Sequence, residues 1–203
     1  KTLDNVYLNF LIQSNIPIGK GISSSSALCV AILKSLDDFF NIGYSDKHIA
    51  ILARKVERNY IGVSGGIMDQ MVSSIGIHGK AFFLDCLTLK HELIDLPNNY
   101  CFELIDSDVQ RDNRVSAYNE RHDQLKKAEE ILKVENLGSV KIDQLNKNKF
   151  DDLIIYKRTL HVVTENQRTL DAKNFLLKQD MKKFGHLMNL SHSSYSKDFE
   201  AST

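Results

Sequence analysis

Apolar residues alternate at period two over residues 6–12, where Val6, Leu8, Phe10 and Ile12 recur, and this pattern predicts a half-buried strand. A turn with Pro17, Gly19 and Gly21 follows. The period then changes: Leu28, Ala31, Ile32, Ser35, Leu36 and Phe39 recur at spacings of three and four, which predicts a helix. A second helix is expected to open at a Ser45 N-cap with Asp46 in its first turn, running to about residue 60 and burying Ile49, Leu52, Ala53 and Val56. Gly62, Gly65 and Gly66 interrupt the pattern, residues 68–75 read as a short helix, and 80–86 and 90–96 read as paired strands.

Beyond Pro97 the texture becomes mostly helical. Residues 101–105 predict one more strand, followed by helices at about 115–134, 149–157, 159–178 and 180–194. In the third of these, Leu160, Val163, Leu170 and Leu177 lie near one stripe. The chain therefore divides near residue 98 into a strand–helix part, 1–97, and a mostly helical part, 98–203. This order predicts an α+β fold with helices segregated from mixed or antiparallel sheets.

Charge narrows the partners. Lys and Arg number 26, as do Asp and Glu, so there is no basic footprint for nucleic acid or an anionic membrane, and neither is expected as a partner. The longest uninterrupted apolar run, residues 27–33, is far below the roughly 18 residues of a membrane span. Lys1-Thr2-Leu3-Asp4 does not read as a signal peptide. Three cysteines, Cys29, Cys86 and Cys101, form no CxxC pair; they are expected to be buried free thiols in a reducing cytoplasm. The histidines show no HxxxH or HxH pair, so no zinc site is expected.

Chemistry concentrates in Gly19-Lys20-Gly21-Ile22-Ser23-Ser24-Ser25-Ser26, placed between a strand-like segment and a helix start. Free amides, hydroxyls and the positive end of the helix dipole make an anion site there. The string is not a Walker A loop. A serine hydrolase is the rival reading, but GxSxG is absent, and Ser194-Tyr195-Ser196-Lys197 matches SxxK without its companion motifs. Two acids, Glu57 and Asp69, flank the glycine break.

Five strings carry a family resemblance. Pro17-Ile18-Gly19-Lys20-Gly21-Ile22-Ser23-Ser24-Ser25-Ser26-Ala27-Leu28 resembles the phosphate loop of the GHMP kinase superfamily. Gly66-Ile67-Met68-Asp69-Gln70 resembles the galactokinase form of the catalytic segment. Ser116-Ala117-Tyr118-Asn119-Glu120-Arg121, Thr164-Glu165-Asn166-Gln167-Arg168-Thr169, and Ser191-His192 with Asp198-Phe199-Glu200 resemble three further galactokinase stretches, in family order.

The resemblance implies a two-lobed GHMP kinase-like α+β fold. A ribosomal-S5-like N-terminal lobe and a ferredoxin-like C-terminal lobe are both expected to be truncated, because the family's first and third motifs are not in this sequence. It implies ATP-dependent phosphorylation of galactose at the anomeric hydroxyl by a cytoplasmic monomer, with this piece expected to be inactive alone. The alternatives are an N-acetylgalactosamine or other sugar-1-kinase, or a non-catalytic sugar- and ATP-binding regulator. Residue by residue, it implies that Gly19, Lys20, Gly21, Ser23, Ser24, Ser25 and Ser26 hold the ATP phosphates. Ser25 and Glu57 hold Mg²⁺, and Asp69 accepts the sugar's proton. Gly66, Asp69 and Tyr118 touch the sugar. Ser26 stands where the family has alanine, and Ser64-Gly65 where Pro-Cys is common.

Overall fold

The computed structural model describes residues 6–62, 65–106 and 114–202, with 114–118 described by backbone alone. In the first half, α1 (Ser24–Phe40) and α2 (Asp46–Val56) run into a π-helical turn, Glu57–Ile61, followed by α3 (Met68–Ile75). An antiparallel hairpin of β1 (Lys80–Leu84) and β2 (His91–Asp95) comes next, in a register that sets Phe82 opposite Leu93. The second half contains α4 (Arg114–Leu132), three single 3-10 turns between Leu137 and Lys149, α5 (Leu153–Leu177) and α6 (Met181–Lys197).

Local signals explain the first three helices. The Ser45 side chain accepts a bond from the His48 amide at 3.2 Å, capping α2 as expected. Helix α1 ends at Asn41 in the left-handed region, a residue type that tolerates it. The apolar stripes then pack. Val30 of α1 meets Ile49 and Ala53 of α2, and Ala50, Ile67 and Met71 form a second buried group against Phe82 and Leu84 of β1. Lys34 ties the three helices together: its ammonium pairs with Asp46 at 2.7 Å and donates to the Ser74 carbonyl at 2.8 Å.

The helical half owns a separate core of Ala128, Leu137, Val140, Phe150, Ile155 and Val163. The two halves meet where α5 lies on β2; Lys173 pairs with Glu92 at 2.5 Å and sits over the Phe83 ring.

Five expectations are corrected. Residues 6–12 do not form a strand, and Val6, Leu8, Phe10 and Ile12 are all exposed. Residues 101–105 do not form one either. A strand needs a hydrogen-bonding partner, and among the described residues the two-stranded hairpin is the only sheet. The expected break near residue 158 is absent, because no glycine or proline interrupts α5. Its buried set is Ile155, Arg158, Thr159, His161, Val163 and Leu176, whereas Leu170 and Leu177 are exposed. The thiols are free as expected, but Cys86 and Cys101 are exposed and Cys29 is only half-buried.

Candidate active site

The glycine–serine loop leads directly into α1. Gly19 and Gly21 have φ of 77° and 80°, and a Cβ at either would meet no atom within 4 Å. Backbone conformation, not crowding, is what calls for glycine there. Ser23 is also left-handed and makes no side-chain cap. The first intrahelical bond runs from the Ala27 amide to the Ser23 carbonyl, so the amides of Ser24, Ser25 and Ser26 have no intrahelical partner. Three such N–H groups at the positive end of a 17-residue helix are the kind of donors that suit an anion. Lys20 pairs with Asp106 at 2.5 Å.

Glu57 sits where α2 gives way to the π turn, a local irregularity frequent at functional sites. The turn closes at Gly62, whose positive φ lets the chain reverse. Glu57 is 8% exposed, and its carboxylate is met by three neutral donors. Ser25 Oγ donates to Oε1 at 2.8 Å, Ser26 Oγ to Oε2 at 2.8 Å, and Gln70 Nε2 also to Oε2. Burial first, and Glu57 second, push the Cys29 thiol up from its ordinary value. A buried carboxylate facing hydroxyls and an amide is an oxygen-rich donor set of the kind a hard divalent cation takes.

Asp69 lies in the first turn of α3, one residue before Gln70. Ser25, Ser26, Glu57, Gly66 and Asp69 line one cavity of about 250 Å³, with Arg54, Arg58 and Gln70 also in its wall. Arg54 Nε donates to the Gly65 carbonyl at 3.3 Å and so holds the glycine segment onto α2. A Cβ at Gly66 would meet nothing, which leaves open space beside Asp69.

The remaining candidates lie elsewhere. Gly19, Lys20, Gly21 and Ser23 lie in the loop ahead of α1 and Ser24 opens that helix; none of them is in the cavity wall. Tyr118 is in α4, its side chain outside the described residues, as is Ser64. The neighbouring Asn119 Nδ2 lies 3.5 Å from the Gly62 carbonyl, bringing the start of α4 beside the π turn.

The three later strings form a polar clamp in the helical half. Arg121 Nε donates to the Phe199 carbonyl at 3.0 Å. Arg158 donates to the Asp198 carbonyl at 2.5 Å and to the Glu200 carboxylate at 2.8 Å. Ser191 donates to Glu165 at 2.5 Å, and Glu165 pairs with Arg168 at 2.6 Å. Ser194, the serine of the SxxK match, is buried between His161 Nδ1 at 3.1 Å and Asp198 at 2.8 Å, which uses its hydroxyl structurally.

Gln70, Arg54 and Arg58 carry no role in the sequence reading. Gln70 stood inside a quoted string, but only the fold shows that it reaches Glu57. Arg54 and Arg58 lie four residues apart and line the same cavity as Glu57.

Residues 2–76 match the family described as GHMP kinases N terminal domain. A galactokinase of Clostridium perfringens (strain SM101 / Type A) is 36% identical over 201 residues, 95% of this chain and 52% of the relative. A galactokinase of Mannheimia succiniciproducens is 34% identical over 199 residues, 96% of this chain and 52% of the relative. The crystal structure of Lactococcus lactis galactokinase complexed with galactose superposes with a TM-score of 0.85 at 33% identity, covering 93% of this chain and 50% of that one. The chain thus spans about half the length of the curated relatives it matches.

Proposed function

We propose that the chain is a GHMP kinase and that its serine-lined cavity is the phosphoryl-transfer site of a galactokinase. The reaction is transfer of the γ-phosphoryl group of ATP to the anomeric hydroxyl of galactose, giving galactose 1-phosphate and ADP. One observation carries this reading: Ser25, Glu57, Gly66 and Asp69, drawn from separate elements, line the same cavity.

In this reading the loop of Gly19, Lys20, Gly21 and Ser23 to Ser26 holds the triphosphate on the free amides that open α1. Ser25 and Glu57 fit Mg²⁺, being oxygen donors around a buried anion that no cation neutralises among its hydrogen-bond partners. When bound, Mg²⁺ neutralises charge on the phosphate oxygens. Asp69 orients the attacking hydroxyl and accepts its proton. Phosphoryl transfer asks mainly for positioning, so one carboxylate and a cradle of amides suffice. Gly66 leaves room for the sugar ring, and Tyr118 is proposed as a further sugar contact. The lobes are residues 1–97 and 98–203. Free thiols support a reducing, cytoplasmic setting, and a monomer is expected by gel filtration.

The test is ADP release with galactose, N-acetylgalactosamine or glucose, the chain being carried in a polypeptide of the relatives' full length. Galactose-dependent release supports the proposal. Preference for N-acetylgalactosamine reassigns the sugar, and binding of ATP and sugar without release makes the protein a regulator.

A further inference from the structure

The two oxygens of Glu57 are not equivalent. Oε1 receives one donor, the Ser25 hydroxyl, whereas Oε2 receives two, Ser26 Oγ and Gln70 Nε2. Both donors to Oε2 are buried, Ser26 at 3% and Gln70 at 5% exposure, and Gln70 Nε2 also donates to Ser26 Oγ at 3.2 Å. The three side chains form a closed polar triangle. Gln70 Oε1 is left buried without a hydrogen-bond partner. Turning the amide over would place that oxygen against the carboxylate, lone pair against anion. The carboxylate therefore sets the amide's orientation, and the orphaned oxygen is the consequence. Ser26 is the member that the resemblance does not supply, since the family loop has alanine there.

We infer that Ser26 and Gln70 are positioning residues that clamp Glu57 Oε2, so that Oε1 alone, beside Ser25 Oγ, faces the divalent cation. This rests on the Mg²⁺ reading given above. A carboxylate limited to one oxygen suits the small octahedral shell of Mg²⁺, whereas Ca²⁺ takes more ligands and accepts carboxylates through both oxygens. The clamp thus sets cation preference as well as affinity.

The probes are Mg²⁺ and Ca²⁺ complexes of a non-hydrolysable ATP analogue, titrated calorimetrically into the chain. The variants are Ser26→Ala, Ser26→Thr, Gln70→Leu, the Ser26→Ala/Gln70→Leu pair and Glu57→Gln. Loss of groups that orient a metal ligand weakens metal binding roughly 10–100-fold. The paired variant should show that loss for the Mg²⁺ complex and a much smaller one for the Ca²⁺ complex. Ser26→Thr, which keeps the hydroxyl, should restore the Ser26→Ala loss. A merely structural clamp would weaken both complexes by the same factor, and that result, or no change in either, overturns the inference. An unchanged Mg²⁺ affinity in Glu57→Gln overturns the metal reading itself. Loss in Glu57→Gln with none in the Ser26 and Gln70 variants leaves that reading standing and sinks the clamp alone.

Discussion

Replacing Glu57 by glutamine separates a structural role from a cation-binding one. The two side chains have nearly the same shape, so packing is preserved. The amide can still be satisfied: its oxygen accepts from Ser26 and Gln70, and its NH₂ faces Ser25 Oγ, which can turn to accept. Three bonds to a charged acceptor become neutral ones, each weakened by about 1 kcal/mol. Against that loss, a carboxylate with only neutral donors no longer has to be stripped of water, a relief of several kcal/mol. The net effect without divalent cation is a change within about 1 kcal/mol of zero, on the stabilising side, which corresponds to about 2–4 °C in Tm for a chain of this size. The assay is thermal unfolding in EDTA, then with Mg²⁺ and the non-hydrolysable nucleotide. The native chain should gain Tm from the ligand, and the variant should gain much less. A loss of about 3 kcal/mol or more in EDTA would refute the reasoning, because it would make the charge structural.

Met71 is fully buried between Ala50, Ile67 and the hairpin, so Met71→Ala should destabilise by about 2–5 kcal/mol in urea unfolding. Arg158→Met should cost about 2–4 kcal/mol by the same measurement, since it removes donors to the Asp198 carbonyl and the Glu200 carboxylate; Arg158→Lys should not restore it, lacking the fork. Burial holds His161 below the ordinary histidine value of 6.5, with Glu165 opposing. The folded state then binds fewer protons than the unfolded one, so stability is full above that value and falls as pH drops below it. His161→Phe should flatten that decline in unfolding midpoints measured across the window.

Helices α1 to α3 and the hairpin are legible because their signals are local: a Ser45 cap, stripes of period 3.6 and the glycines that follow the π turn. The alternation at 6–12 and the strand expected at 101–105 do not become strands, since pairing depends on segments distant in sequence. In α5 the buried Arg158, Thr159 and His161 look like breaks in an apolar stripe. They are buried because each finds a hydrogen-bond partner across the helical half or on its own helix. At the cavity, residue types and order pointed to Ser25, Glu57 and Asp69. Ser26 stands where the family has alanine, and only the packing of α2 and its π turn against α1 shows its hydroxyl on Glu57. Gln70 was equally opaque, because its partner lies 13 residues away on another element.

The central claim is that Asp69 takes the proton of a sugar hydroxyl in a cavity where Ser25 and Glu57 hold the metal–nucleotide complex. Asp69→Asn tests it most directly, in a polypeptide of the relatives' full length, with galactose-dependent ADP release and nucleotide affinity measured side by side. The account predicts release reduced by at least about 10²-fold with nucleotide affinity nearly unchanged. Release at the unsubstituted rate would contradict it.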